Sequence, residues 1–196
     1  MESSLETVSR AAAAFAPAAL SAARVEWPPA EGPGTPKICL GMPVSVDAAG
    51  MRGLKQIGVD YVLSGGPRIP WQEADLRARM DHLKAGGITL CNLMIGGFPN
   101  TIYGRPGRDE EIDKVCQSIR AAGRAGLPVV EYNFYAHRLT EGYYEELGRG
   151  GAGMTAYTYT KVKDLPPLPG IGAQSLEDIW KNITYFLKAV VPVAEE

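Results

Sequence analysis

Residues 109–134 read DEEIDKVCQSIRAAGRAGLPVVEYNF and contain the pattern that decides the fold. In the first part, apolar residues recur at i, i+3, i+4 and i+7, which is the spacing of one face of a helix. These residues are Ile112, Val115, Cys116 and Ile119. Gly126 ends the helix, and the short apolar run at 128–134 is typical of a strand buried on both faces. The stretch therefore predicts a helix followed by a strand of a parallel sheet.

Similar strands and helices alternate along the rest of the chain. The other predicted strands cover 37–42, 59–63 and 88–95, and the other predicted helices cover 47–58, 71–85 and the stretch after Ser175. No G-x-G-x-x-G follows the first strand, which weakens a nucleotide-binding, doubly wound sheet. We predict the α/β class, as a partial (βα)8 TIM barrel with a parallel sheet of about four βα units. A closed barrel has eight units and about 250 residues.

Composition and the N-terminal segment limit the classes of partner. The formal net charge is −2, so we expect no nucleic-acid partner. The Ala-rich segment 11–23 is too short to span a membrane, and we expect no membrane partner. It suits an export signal, although the acidic residues before it do not; a frayed helix is the alternative. We assign 1–35 to a leader and Pro-rich link, and 36–196 to a truncated, N-terminal half of a TIM-barrel domain.

Polar residues gather where the chemistry of a barrel is found, at the carboxyl ends of the strands and in the loops after them. Glu131 and Asn133 are two residues apart in the fourth strand and therefore share one face. Unpaired burial of such groups costs several kcal/mol by order of magnitude. A metal, sugar hydroxyls or other polar side chains could pair with them, and a salt bridge of Glu131 within the barrel is the structural alternative.

Four further residues are candidates for contact with substrate. His137 and Arg138 extend the end of the fourth strand, and Tyr103 and Arg105 lie in the loop after the third. A histidine there suits a sugar contact or a proton shuttle, with a solvated loop residue as the alternative. Either arginine could bind a substrate carboxylate through a bidentate fork. Beyond them, about 137–174 is predicted to be one long loop that serves as a lid, a binding loop or an oligomer arm.

Several of these segments together resemble a known family. Residues 104–111 lead into a helix that ends at 120–126, the strand 129–134 ends in Tyr-Asn-Phe, and an Arg-containing loop follows at 137–140. This arrangement is similar to the N-terminal half of the mannonate dehydratases, within the xylose-isomerase-like TIM barrels. The resemblance covers about residues 37–196.

The resemblance implies a carbon–oxygen lyase of hexuronate and glucuronate catabolism. Its reaction would be the dehydration of D-mannonate, a sugar acid, to 2-keto-3-deoxy-gluconate with Mn²⁺ or Fe²⁺. The family's metal ligands lie on later strands, so we expect them beyond residue 196 and assign no metal ligand within the chain. The family strand usually has Cys where this chain has Glu131. The resemblance further implies a homo-oligomer at full length and a cytoplasmic location, with export through the Ala-rich segment left open.

Three hypotheses follow for function, and none assigns a catalytic residue. The first is a fragment of a mannonate dehydratase-like lyase that is itself inactive. The second is a sugar isomerase or epimerase of the same barrel superfamily. The third is a non-catalytic half-barrel that binds carbohydrate or pairs with another chain.

Overall fold

The computed structural model describes residues 32, 34–135 and 141–196. The chain divides into two compact units, Met1–Lys37 and Ile38–Glu196, and the second contains all the regular elements given below. The Ala-rich segment and its proposed role as an export signal lie outside the described residues. Among the described residues, no helix combines the length and the apolar character needed to cross a membrane.

The second unit contains a four-stranded parallel sheet. The strands, in the spatial order β1-β2-β3-β4, are β1 (Cys39–Gly41), β2 (Tyr61–Gly65), β3 (Thr89–Ile95) and β4 (Val129–Tyr132). The helices are α1 (Ala48–Gln56), α2 (Glu73–Ala85), the short α3 (Pro99–Ile102), α4 (Arg108–Ala125) and α5 (Leu176–Glu195). Sequential strands are spatial neighbours and a helix follows each, so the unit is four βα repeats, as predicted.

Side chains at two helix starts explain where those helices begin. The Asp47 carboxylate accepts a hydrogen bond from the Gly50 amide at 2.8 Å and caps α1. The Ser175 hydroxyl accepts from the Asp178 amide at 3.0 Å and donates to the Asp178 carboxylate at 2.6 Å. Each cap satisfies an amide that has no partner within the helix. Ser175 is therefore the N-cap of α5, and the Asp178 side chain holds its hydroxyl in place.

The hydrophobic core lies on one face of the sheet, which we call the outer face, between the strands and their helices. Val62, Leu90, Leu93 and Ile95 are buried on this face, against core residues of the helices such as Leu76, Leu83, Val115 and Phe186. Side chains alternate along a strand, so the residues between them point to the opposite, inner face. The inner face of a βα barrel is its interior, and here it carries polar side chains.

The predicted long loop contains a β-hairpin, which corrects the sequence prediction there. Strand β5 (Tyr143–Leu147) pairs antiparallel with β6 (Gly153–Tyr157), and the rings of Tyr143 and Tyr157 lie 4.9 Å apart. Nearly all of its residues are exposed. Because the hairpin buries no face in the core, its sequence lacks the apolar alternation that marks a half-buried strand.

Candidate functional site

The inner face carries a polar cluster where β3 and β4 run side by side. Asn92 pairs in register with Val129, and Met94 pairs with Glu131, so these four side chains share one face. The Asn92 amide donates to the Glu131 carboxylate at 2.8 Å. Asn133 follows the end of β4, and its amide lies against the Met94 sulfur. The structure therefore brings the predicted Glu131 and Asn133 together with Asn92, which the sequence alone does not indicate.

The Glu131 carboxylate is half-buried and has no cationic side chain beside it among the described residues. Its partner among the described residues is the Asn92 amide, and the salt bridge considered from sequence stays a prediction. The side-chain oxygen of Asn92, Oδ1, is buried without a hydrogen-bond partner among the described residues. Both groups are hydrogen-bond acceptors, so a ligand with hydroxyl or amino groups could donate hydrogen bonds to them.

Tyr103 and Arg105 form a second group, in the loop between β3 and α4. The Arg105 guanidinium lies over the Tyr103 ring, 5.3 Å from its centroid. The same guanidinium donates to the Gly170 carbonyl, which belongs to the segment before α5. Arg105 therefore ties two loops of its own chain together, which is a structural role that the sequence prediction of a carboxylate-binding residue did not include.

A buried carboxylate on α4 positions that loop. Glu111 is only 9% exposed and accepts from the Asn100 side chain at 2.9 Å, the Thr101 amide at 2.8 Å and the Thr101 hydroxyl at 3.0 Å. Charge-assisted hydrogen bonds of this kind are about twice as strong as neutral ones. From sequence, Glu111 is one of three acidic residues that suit the positive end of a helix, and nothing in its spacing reveals this second role.

The loop is held a second time by α5. The Asn182 side chain, itself buried, donates to the Ile102 carbonyl at 3.1 Å. Gly104 next to it has φ +63°, and a Cβ there would lie 2.6 Å from the Asn182 amide oxygen. Glycine is needed at this position both for the backbone conformation and for the close approach of the amide. Side chains from both α4 and α5 thus hold the β3–α4 loop at the carboxyl ends of the strands.

Arg79 occupies the same edge at the end of β2. It reaches from α2 to donate to the Ser64 hydroxyl at 2.8 Å and to the Gly65 carbonyl at 3.0 Å. Burial lowers the pKa of Arg79, because removal from water disfavours the charged form. The residue fixes a helix to a strand end, and the sequence offered no signal for it.

The remaining candidates can be placed as follows. His137 and Arg138 lie outside the described residues, so their predicted contacts stay predictions. His82, the other histidine, is exposed on α2 with its Nε2 atom 3.0 Å from the Val46 carbonyl oxygen. Over residues 34–135 and 141–196, no group of three or more His, Cys, Asp or Glu side chains is arranged to hold a metal ion. The described residues therefore do not provide the Mn²⁺ or Fe²⁺ site that the family resemblance implies.

Comparison with a solved structure identifies the fold. No protein-family profile matches the chain. The solved mannonate dehydratase of Streptococcus suis serotype 2 superposes with a TM-score of 0.70, at 24% identity, over 81% of this chain and 50% of that one. The four parallel βα units are therefore part of a TIM-barrel fold.

The curated proteins that match part of the chain are mannonate dehydratases. A mannonate dehydratase from Streptococcus pneumoniae is 32% identical over 117 residues, which are 47% of this chain and 32% of that protein. Another, from Oceanobacillus iheyensis, is 26% identical over 179 residues, which are 76% of this chain and 51% of that protein. The chain is similar to mannonate dehydratases over part of its length, which supports the resemblance found in its sequence motifs. It spans at most about half the length of these relatives.

Proposed function

We propose that this chain forms the part of a sugar-acid dehydratase that holds the hydroxyl groups of the substrate. The observation that carries the proposal is the half-buried Glu131 carboxylate, oriented by Asn92 on the inner face of a βα-barrel sheet. The relatives named mannonate dehydratase make D-mannonate the proposed substrate and 2-keto-3-deoxy-gluconate the proposed product.

The chemistry of the reaction suits such a cluster. Dehydration removes the proton next to the substrate carboxylate and expels the C3 hydroxyl as water, and the resulting enol becomes a ketone by proton transfer to carbon. The protein must bind several hydroxyls, accept one proton and donate another. Glu131 accepts hydrogen bonds from hydroxyls, and Asn133 next to it can donate or accept.

Charge sets the orientation of the substrate in this proposal. Glu131 repels the carboxylate of a sugar acid, so the polyol end of the substrate lies nearest to it. The acid group then lies farther along the mouth of the barrel, where His137 and Arg138 follow β4 in sequence. Arg105 is already bound to the Gly170 carbonyl, so we give the role of carboxylate ligand to Arg138.

We also propose that the reaction requires Mn²⁺ or Fe²⁺. Mn²⁺ or Fe²⁺ would polarise the substrate's carboxylate and a hydroxyl when bound. Since the described residues contain no suitable set of ligands, the proposed ligands lie elsewhere, and no step is assigned to a described residue through the metal.

Binding of D-mannonate tests the proposal directly. Titration calorimetry with the 196-residue chain should show saturable binding. The Glu131→Gln variant keeps the size of the side chain and an acceptor for Asn92 but loses the charge, and we expect at least about tenfold weaker binding, in line with a charged hydrogen bond. The control is Glu110→Gln, which removes an exposed carboxylate from the first turn of α4.

Three results would count against the proposal: no binding of D-mannonate, equal binding by both variants, or turnover of an aldose or ketose in its place. The last would favour a sugar isomerase or epimerase. Addition of Mn²⁺ to the 196-residue chain should give no 2-keto-3-deoxy-gluconate, because we propose that the metal ligands lie elsewhere.

A further inference from the structure

The loop between β2 and α2 carries an exposed arginine. Among the residues that the structure describes, the arginine side chains without a hydrogen bond, an ion pair or a ring contact are Arg52, Arg68 and Arg149. Arg52 belongs to α1 in the outer layer, and Arg149 lies in the turn of the β5–β6 hairpin. Of these residues, only Arg68 directly follows a strand of the parallel sheet. It therefore lies at the carboxyl ends of the strands, where a βα barrel binds its substrates.

Hydrogen bonds hold this loop against the neighbouring strand and against α4. The Gly66 amide donates to the Met94 carbonyl of β3 at 2.8 Å. At the other end of the loop, the Trp71 amide donates to the Ser118 hydroxyl of α4 at 2.9 Å. Trp71 is buried, and a Cβ on Gly66 would lie 2.2 Å from its ring, so the two residues pack as closely as glycine allows. The backbone on both sides of Arg68 is thus attached to the sheet and to α4.

Strand register relates this loop to the polar cluster of the inner face. Gly65 at the end of β2, Met94 in β3 and Glu131 in β4 are register partners and form one row across the sheet. Neighbouring strands lie about 4.8 Å apart, so the end of β2 and Glu131 are separated by roughly 10 Å. Because Arg68 follows Gly65 so closely, one extended ligand can contact both the Arg68 guanidinium and the Glu131 carboxylate.

We infer that Arg68 binds the carboxylate of the sugar acid whose hydroxyl groups contact Glu131 and Asn133. Glu131 repels the acid group and Arg68 attracts it, so the opposite charges at the two ends favour one orientation of the substrate. A guanidinium group can bind a carboxylate through two parallel hydrogen bonds. Arg68 thus adds a cation on the β2 side of the barrel mouth to Arg138, which follows β4 in sequence. The inference rests on the proposed function, from which it takes its ligand.

A role of this kind makes Arg68 a determinant of specificity for acids over neutral sugar alcohols. D-mannitol has the carbon chain and hydroxyl groups of D-mannonate, but an uncharged CH₂OH group replaces the carboxylate. The hydroxyl groups of either compound can contact Glu131, whereas only the acid brings an anionic partner for Arg68. Removal of the Arg68 charge should therefore weaken the binding of the acid and leave that of the alcohol unchanged.

Binding of both compounds to the 196-residue chain tests the inference, by ligand-observed NMR because it detects weak complexes. Arg68→Gln should bind D-mannonate at least about tenfold more weakly, in line with a charge-assisted hydrogen bond, and D-mannitol within about twofold of wild type. Arg68→Lys keeps the charge but loses the planar fork, so its affinity for D-mannonate should lie between the two. The control is Arg52→Gln, which removes an exposed arginine from α1 and should change neither affinity. Circular dichroism verifies that each variant is folded.

The outcomes separate a failure of this inference from a failure of the proposed function. Binding of D-mannonate that depends on Glu131 but not on Arg68 would overturn the inference and leave the proposed function in place. An equal loss of both compounds in Arg68→Gln would also overturn it, because the residue would then act on the loop and not on the carboxylate. No binding of D-mannitol by the wild type would contradict the separate recognition of the hydroxyl end on which the inference depends. No binding of D-mannonate by the wild type would overturn both proposals.

Discussion

The hydrogen-bond network of Glu111 supports a quantitative prediction about the β3–α4 loop. Replacing Glu111 with Ala removes the acceptor of the Thr101 amide, the Thr101 hydroxyl and the Asn100 side chain. The Thr101 amide is then left buried and unpaired, because Thr101 is 1% exposed. The hydroxyl retains the Arg108 carbonyl at 3.2 Å, and the half-buried Asn100 side chain can turn to water.

The expected loss in the free energy of unfolding follows from what happens to each of these three groups. An unpaired buried donor costs about 1–3 kcal/mol, and the loss of charge-assisted bonds adds about 1–2 kcal/mol more after exchange with water. We therefore expect Glu111→Ala to lower the free energy of unfolding by about 3 kcal/mol. Urea unfolding followed by tryptophan fluorescence measures it, since Trp71 is 2% exposed. With a slope of about 2 kcal/mol per molar urea, the midpoint should fall by about 1.5 M.

The neighbouring residue provides the control. Glu110→Ala removes an exposed carboxylate from the same helical turn, where the helix dipole alone contributes about 0.3–1 kcal/mol. If the two variants lose the same stability, within about 0.5 kcal/mol, the carboxylate of Glu111 does not hold the loop, and the reasoning from its contacts is wrong. Glu111→Gln, which keeps one acceptor, should fall between the two.

Three other predictions concern the second unit. Phe186→Ala should cost about 3–5 kcal/mol in urea unfolding, because its ring is buried and stacks 5.1 Å from that of Phe98; a loss under about 1 kcal/mol would contradict this packing. The hydrogen bonds from Arg77 and then Arg124 lower the pKa of Glu73. Its contribution to stability is therefore present at neutral pH and is lost as the pH falls through the lowered pKa. The difference in the free energy of unfolding between wild type and Glu73→Gln should shrink in acid, and a constant difference would exclude the linkage. Burial raises the pKa of the Cys116 thiol, so iodoacetamide should modify it more slowly than the other two cysteines, as followed by mass spectrometry; equal rates would show that the site opens readily.

The elements of the sheet could be predicted because burial leaves a period in the sequence. The α4 stripe from Ile112 to Ile119 faces the core, and the structure places this helix at Arg108–Ala125. Strands β1, β3 and β4 are shorter than predicted, since apolar runs continue into the turns, whereas β2 has the predicted length but begins two residues later. The β5–β6 hairpin was missed for the converse reason: its stability comes from cross-strand pairs such as Tyr143–Tyr157 and not from the core.

The candidate site could be predicted only in part. The sequence indicates single polar residues within a strand, but it does not indicate which residues contact them. Glu131 and Asn133 were conspicuous as polar residues within a strand. Their neighbours in the structure, Asn92 and Met94, come from another strand, and register between strands cannot be read from local spacing. Arg105 was likewise visible as a charge, whereas its carbonyl partner lies 65 residues away.

The alternation along β3 has an evolutionary consequence. Leu93 and Ile95 are buried against helices, whereas Asn92 and Met94 between them face the other side of the sheet. Mutations at the second pair change the lining of the interior but leave the packing of the outer layer untouched. Ligand preference can therefore drift under selection while the fold stays constant.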